Sequence, residues 1–253
     1  LYASELGQHE GLYRGYRTIA DGPEYDALDL GQRKLIDNAL RDFRLSGIEL
    51  AEKPRARYRN IMQELTANAA RFEENLLDAT NAWRHVVTNE SALAGLPETA
   101  VAQARERAED EGESGWLFTL EFPSYIAVAT HADHRPLREA MYAAYVTRAS
   151  DQGPHAGKWD NGPVMEKLLK LRHELAQLLG FKSYAERSLA TKMAASPEQV
   201  LEFLTDLAER SLPVARRDFD EIVNYAHDQH GVADLAAWDI AYYAEKLRKH
   251  KFD

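Results

Sequence analysis

The sequence predicts a mainly α protein, a multi-helix lobe with one short β element near residues 116–122, and three observations carry that expectation. Apolar residues recur at three- and four-residue steps over most of the chain. Helix start and stop signals punctuate those runs, and a single aromatic stretch breaks the period.

Each element follows from local chemistry. Leu30 to Leu45 puts Leu35, Ile36, Ala39, Leu40 and Phe43 on one face, and Ser46-Gly47 supplies a left-handed stop. From Pro54 to Trp83 the residues Tyr58, Ile61, Met62, Leu65, Ala69, Phe72, Leu76 and Ala79 keep helical spacing, which predicts one long spine helix. Pro97 opens a helix that Glu111 to Gly115 breaks near Asp110. Trp116 to Phe122 then reads as a strand, and a lone strand requires a partner, expected outside this chain.

Beyond the strand, Arg138 to Ser150 is expected to be helical, Asp151 to Asp160 to be a loop, and helices to resume at Asn161. Ser196-Pro197-Glu198-Gln199 combines an N-cap serine, a first-turn proline and a glutamine three positions after the cap, which starts a helix that Gly231 ends. Leu235 to Leu247 is helical again. The order of elements divides the chain into an N-terminal helical region, 1–115, and a second region, 116–253, that carries the strand and is incomplete at its C-terminal end. The chain starts at Leu1 rather than Met and stops at Asp253 while a helical pattern is still running, so both ends are expected to interrupt a longer polypeptide.

Composition excludes several function classes. The 253 residues are 45% apolar and 28% charged, ordinary values for a globular protein, with a formal net charge of -10. That balance argues against nucleic acid, which needs clustered cations; Arg41, Arg44, Arg55, Arg57 and Arg59 are interleaved with Asp42, Glu49 and Glu52. No apolar run reaches the ~20 residues a bilayer requires, and Leu1 to Glu10 carries Glu5 and Glu10 where a secretory leader would be basic and then apolar. A cytoplasmic protein without a membrane partner is the expectation. Zero cysteines exclude disulfides and thiolate chemistry.

The residues hold no complete catalytic or metal motif. His173-Glu174-Leu175-Ala176-Gln177 comes nearest to the helical zinc signature, but Gln177 stands where the second histidine should be, and an amide is a poor zinc ligand. His227 and His230, with Asp228 or Asp234, could share a helix face; in a last turn before Gly231 they read better as groups that satisfy the helix carbonyls. His131-Ala132-Asp133-His134 lies at a helix start, where Asp133 is a natural N-cap. Gly153 to Gly157 lacks the ending of a phosphate loop. Trp238-Asp239-Ile240-Ala241-Tyr242-Tyr243 is the most distinctive aromatic cluster, suited to a peptide groove but more commonly core at this spacing. No catalytic or metal residue is therefore assigned, and substrate-binding residues are unknown.

Several stretches carry a resemblance when taken in order: Asp37 to Arg44, Leu77-Asp78-Ala79-Thr80, Leu137-Arg138-Glu139, Ala144 to Asp151, Gly157 to Asn161, Ser188 to Met193, and Trp238-Asp239 with Tyr242-Tyr243. From about Tyr2 to Phe252 the chain resembles the thimet oligopeptidase family of zinc metallopeptidases. The resemblance implies a zincin-type oligopeptidase in which helical lobes face each other across a deep channel that admits short peptides. It implies zinc and a His-Glu-x-x-His helix in the full-length parent, C-terminal to the Trp-Asp-x-x-Tyr-Tyr stretch. These 253 residues contain no such motif, so the segment is expected to be inactive alone and to hold no zinc. Its expected partners are short peptides and the missing C-terminal catalytic part, and the surface left uncovered is a route to self-association. A peptide-binding module or a purely structural helical domain is the alternative.

Overall fold

Helix α2, Leu30–Leu45, shows how the local signals work. Asp29 accepts from the Gln32 N–H while the Gln32 side chain accepts from the Asp29 N–H, a reciprocal capping box. At the other end Ile48 N–H donates to Phe43 O and Gly47 N–H to Arg44 O, the Schellman closure. In the computed structural model, which describes residues 6–252, the chain order is α1 (Glu10–Ala20), a 3-10 turn (Tyr25–Ala27), α2, α3 (Glu52–Ala82), β1 (Arg84–Val87) and a 3-10 turn (Glu90–Leu93). There follow α4 (Glu98–Asp110), β2 (Trp116–Thr119), α5 (Phe122–His131), α6 (Arg135–Val146), α7 (Gly162–Leu178), α8 (Tyr184–Leu189), α9 (Pro197–His230) and α10 (Ala237–Phe252). The mainly α expectation holds. The sequence argument from Glu5, and the stop at Asp253, fall on residues outside those described.

The chain forms two compact units, each built from two separate stretches: residues up to Ala70 with Glu166–Val200, and Arg71–Met165 with Leu201 onward. Three helices, α3, α7 and α9, carry the chain from one unit to the other. In the first unit Tyr13 and Tyr16 of α1 lie 5.8 and 6.0 Å from the Phe43 ring. A core of Tyr58, Ile61, Leu171 and Leu175 joins α3 to α7. Arg57 clamps the same pair, donating from Nε and Nη2 to the two Glu174 oxygens at 2.6 and 2.5 Å.

The second unit supplies the correction to the lone strand. β2 pairs antiparallel with β1, Arg84 opposite Thr119 through Val87 opposite Trp116, so its partner lies inside the chain. The strand is also shorter than the 116–122 stretch, because Phe122 is already the first residue of α5. Phe118 and Leu120 enter a core with Trp83, Val87, Leu93, Val128, Leu137 and Met141, which welds the β pair to α5 and α6. Helix α6 begins earlier than the Arg138 expected, at Arg135, and ends at Val146. Among the described residues no helix is long and apolar enough to cross a membrane.

Candidate functional site

The best-built polar arrangement sits where α10 meets the α5–α6 corner. Asp239 lies in the first turn of α10 and is 0% exposed. Unpaired, a buried carboxylate is costly enough that it would give up its charge. Here two guanidiniums compensate it. Arg135 donates from Nε to Oδ1 and Oδ2 at 3.1 and 3.0 Å and from Nη2 to Oδ2 at 2.6 Å. Arg138, 2% exposed, donates from Nη2 to Oδ1 at 2.7 Å. The Ala236 N–H donates to Oδ2 at 3.1 Å and so caps the helix start. Burial alone would push the Asp239 carboxyl up; the Arg135, Arg138 and Ala236 hydrogen bonds outweigh it and hold it below its ordinary value of 3.8.

Arg135 and Arg138 are three positions apart on α6, hence on one helix face, which lets both reach one acceptor. Arg138 has a second duty: its Nη1 donates to Ala132 O at 2.7 Å and Asp133 O at 3.3 Å, closing the C-terminus of α5. Its guanidinium carbon lies 4.1 Å from the centre of the Tyr242 ring. Tyr242 donates its hydroxyl to Asp133 Oδ1 at 2.7 Å, and Lys246 Nζ reaches the same oxygen at 3.1 Å. The Tyr242 bond and the Lys246 ammonium hold Asp133 below its ordinary value against the opposing effect of burial. Burial, and then the negative Asp133 partner, push Tyr242 up.

This arrangement is structural in its chemistry. A general base needs a lone pair free for a substrate proton, and the Asp239 oxygens are occupied by cationic and backbone donors. Trp238 packs 6.2 Å from Tyr142, and its indole N–H has no hydrogen-bond partner among the described residues. Tyr243 completes an aromatic cluster with His230 and Tyr242. Within Trp238 to Tyr243, Asp239, Tyr242 and Tyr243 are buried, Trp238 and Ile240 are partly buried and Ala241 is exposed, with Tyr242 and Tyr243 both 7% exposed.

The other sequence candidates are placed apart from it. Glu174, in the near-zinc motif, is taken up by Arg57, which holds its carboxyl low. Gln177 donates to Lys182 O at 2.9 Å. Asp133 does not cap α6: the N-cap is His134, and Asp133 sits one residue earlier, turned to Tyr242 and Lys246. His227 Nδ1 lies 2.8 Å from Asp228 Oδ1, and the His230 ring packs against Tyr225 and Tyr243. Backbone groups close that helix end instead, Gly231 N–H on His227 O and Val232 N–H on Ala226 O. Gly153 to Gly157 lies in a loop whose neck is tied by Gly157 N–H to Ser150 O and Asn161 N–H to Ala149 O. Buried Asn161 anchors that neck to α3: its Oδ1 accepts from Asn75 Nδ2 at 2.9 Å and its Nδ2 donates to Phe72 O at 3.0 Å.

Reasoning from the sequence missed Arg135 and the Asp133 to Tyr242 link. Arg138 was visible only as part of Leu137-Arg138-Glu139. One signal could have found the arginines: two guanidiniums at i and i+3 flank buried Leu137 on a helix whose one acid is Glu139, so at least one of them needs an acidic partner from elsewhere.

Comparison with known proteins is consistent along the chain. Residues 2–55 match the family model for the neurolysin/thimet oligopeptidase N-terminal domain, and residues 128–253 match peptidase family M3. Oligopeptidase A of Salmonella typhimurium and that of Escherichia coli are each 52% identical over 99% of this chain. A probable cytosolic oligopeptidase A of Arabidopsis thaliana is 36% identical over 98% of it. The chain spans 37% of the length of the two bacterial relatives and 36% of the plant one. Two family models in register with the chain, and near-complete alignment to the bacterial proteins, agree with the motifs quoted above: this chain belongs to the thimet oligopeptidase family, peptidase family M3.

Proposed function

We propose that this chain is the non-catalytic helical portion of a zinc-dependent oligopeptidase that hydrolyses short peptides within a deep channel, acting in the cytoplasm together with the catalytic part of the same enzyme. Family membership supports the peptidase class. The observation that carries the division of labour is the saturated Asp239 carboxylate, which spends its charge on fixing α10 against α5 and α6.

Among the described residues no three His, Cys, Asp or Glu side chains gather as a metal group would need. Glu174 is neutralised by Arg57, and Gln177 is an amide. The described residues do not fit a zinc ion. What this chain contributes is position. The two arginines and Asp239 set the start of α10, Asp133 with Lys246 sets its middle, and the ion pair of Lys251 with Glu221 ties its last turn to α9.

The experiment is a hydrolysis assay with quenched fluorescent peptides on the pure 253-residue chain, with and without added zinc. No chelator-sensitive cleavage is expected. Turnover that a chelator abolishes would show that the chain carries its own centre and would end the reading.

A further inference from the structure

We infer that the uncovered face of α9 is a docking surface for a further body of at least two helices whose contact face is apolar and rimmed with Lys and Arg. The inference rests on the functional reading above, because it takes that body to be the part of an oligopeptidase that this chain does not contain.

Every residue from Leu201 to Asp220 is exposed, although α9 is 34 residues long and only its last turns, near Ala226, are buried. The exposed set includes Leu201, Phe203, Leu204, Leu207, Leu212, Val214 and Phe219, between 44 and 66% exposed. At 3.6 residues per turn, Leu201, Leu204, Ala208, Leu212, Ala215 and Phe219 make one stripe, and Phe203, Leu207 and Val214 make a second beside it. A shallow groove runs along the first, through Leu204, Ala208, Leu212 and Ala215.

Between their outermost residues, Phe203 and Leu212, the two stripes span about half the helix circumference, with Ser211 and Asp218 between them. A helix that packs on one neighbour needs an apolar stripe of only about 100°. An arc of twice that width is the mark of a helix meant for the inside of a larger core, with more than one neighbour. The chain spans 37% of the length of its bacterial relatives, so a polypeptide large enough to supply such neighbours exists in the family.

Charge decides against a second copy as the occupant. Glu198, Glu202, Glu209 and Asp220 border the first stripe on one side, with Arg216 the one cation among them. Laid antiparallel, two copies bring the same border together: Glu209 meets Glu209 and Glu198 meets Asp220, against one favourable pairing, Glu202 with Arg216. Laid parallel, each acidic border meets the partner's opposite flank, which carries Ser211 and Asp218 and no Lys or Arg to answer it. The border instead complements lysines and arginines on a different surface.

The test is hydroxyl-radical labelling read by mass spectrometry, on the 253-residue chain and on full-length Salmonella typhimurium oligopeptidase A, with sedimentation of the short chain alongside. The expected result is full labelling of Phe203, Leu204, Leu207 and Phe219 in a monomeric short chain, and at least several-fold protection of the aligned helix in the long enzyme. Leu204→Asp with Leu212→Asp leaves the melting temperature of the short chain unchanged, while the aligned pair lowers that of the long enzyme. Equal labelling in both proteins would overturn the inference. So would protection in the short chain accompanied by dimerisation, which would make a second copy the occupant. Labelling reports on cover whether or not peptides are cleaved. Hydrolysis by the short chain alone would instead sink the functional reading and leave the labelling result standing.

Discussion

Asp239 carries a full negative charge at a position with no exposed surface, and its two arginine partners are unequal. Arg138 is 2% exposed, whereas the Arg135 side chain is 49% exposed. Removing the acid strands a buried guanidinium; removing Arg135 lets water in beside a pair that remains. Asp239→Asn should therefore cost about 3–5 kcal/mol in urea unfolding, and Arg135→Ala about 1 kcal/mol or less. Equal losses would mean that Arg135 is the main counterion. The pH dependence has a definite sign. Asp239 and Asp133 are both held below their ordinary value of 3.8, so the stability they lend is complete above that value and is lost as pH falls through the lower folded-state values. Trp238 fluorescence should hold steady through neutral pH and shift below a pH of about 4 as α10 loosens. A transition near pH 6 would implicate histidines instead. The aromatic character of Trp238 to Tyr243 was legible in the sequence. Its electrostatics were not, because Arg135 and Asp239 lie 104 positions apart and no local pattern links them.

Helix boundaries were the most legible feature of the elements, because caps are local chemistry. Gln199 N–H donates to Ser196 Oγ at 3.3 Å as the Ser-Pro-Glu-Gln signal requires, and Gly47 closes α2 as expected; the side-chain caps of Asp29 and Ser183 are local chemistry of the same kind that the sequence reading did not name. Two glycine stops separate backbone strain from contact. Gly47 has φ +78°, and a Cβ there would approach the Tyr58 ring at 3.2 Å; Gly180 has φ +82° and open space around it. Gly180→Ala should cost about 1 kcal/mol from the left-handed backbone alone, and Gly47→Ala more, by thermal unfolding. If the two cost the same, the Tyr58 contact relaxes freely. β1 escaped notice for a physical reason. Arg84–Val87 is four residues long and begins one residue, Trp83, after the end of α3 at Ala82, so its alternation is hidden in the tail of the spine-helix pattern. The boundary at 115/116 concerns the order of elements along the chain. We keep it as a proposal, for limited proteolysis at exposed Glu111 to Ser114 to test.

At the scale of the whole molecule, the fold class and the family were readable from the sequence, whereas the two compact units were not. Each unit joins stretches far apart in the chain, and that pairing is written in tertiary contacts such as Arg57 with Glu174, 117 positions apart. The same holds for α9, whose broad apolar arc was legible as helix periodicity but whose exposure depends on what packs around it. On the proposed function, this chain is a frame, and metal chemistry belongs to another part of an oligopeptidase. The most direct measurement is the zinc stoichiometry of the purified 253-residue chain, by native mass spectrometry after equilibration with a slight excess of zinc. The account predicts apo protein with no tightly held ion. One equivalent of zinc that survives dialysis and is lost on Glu174→Ala or His173→Ala would contradict it.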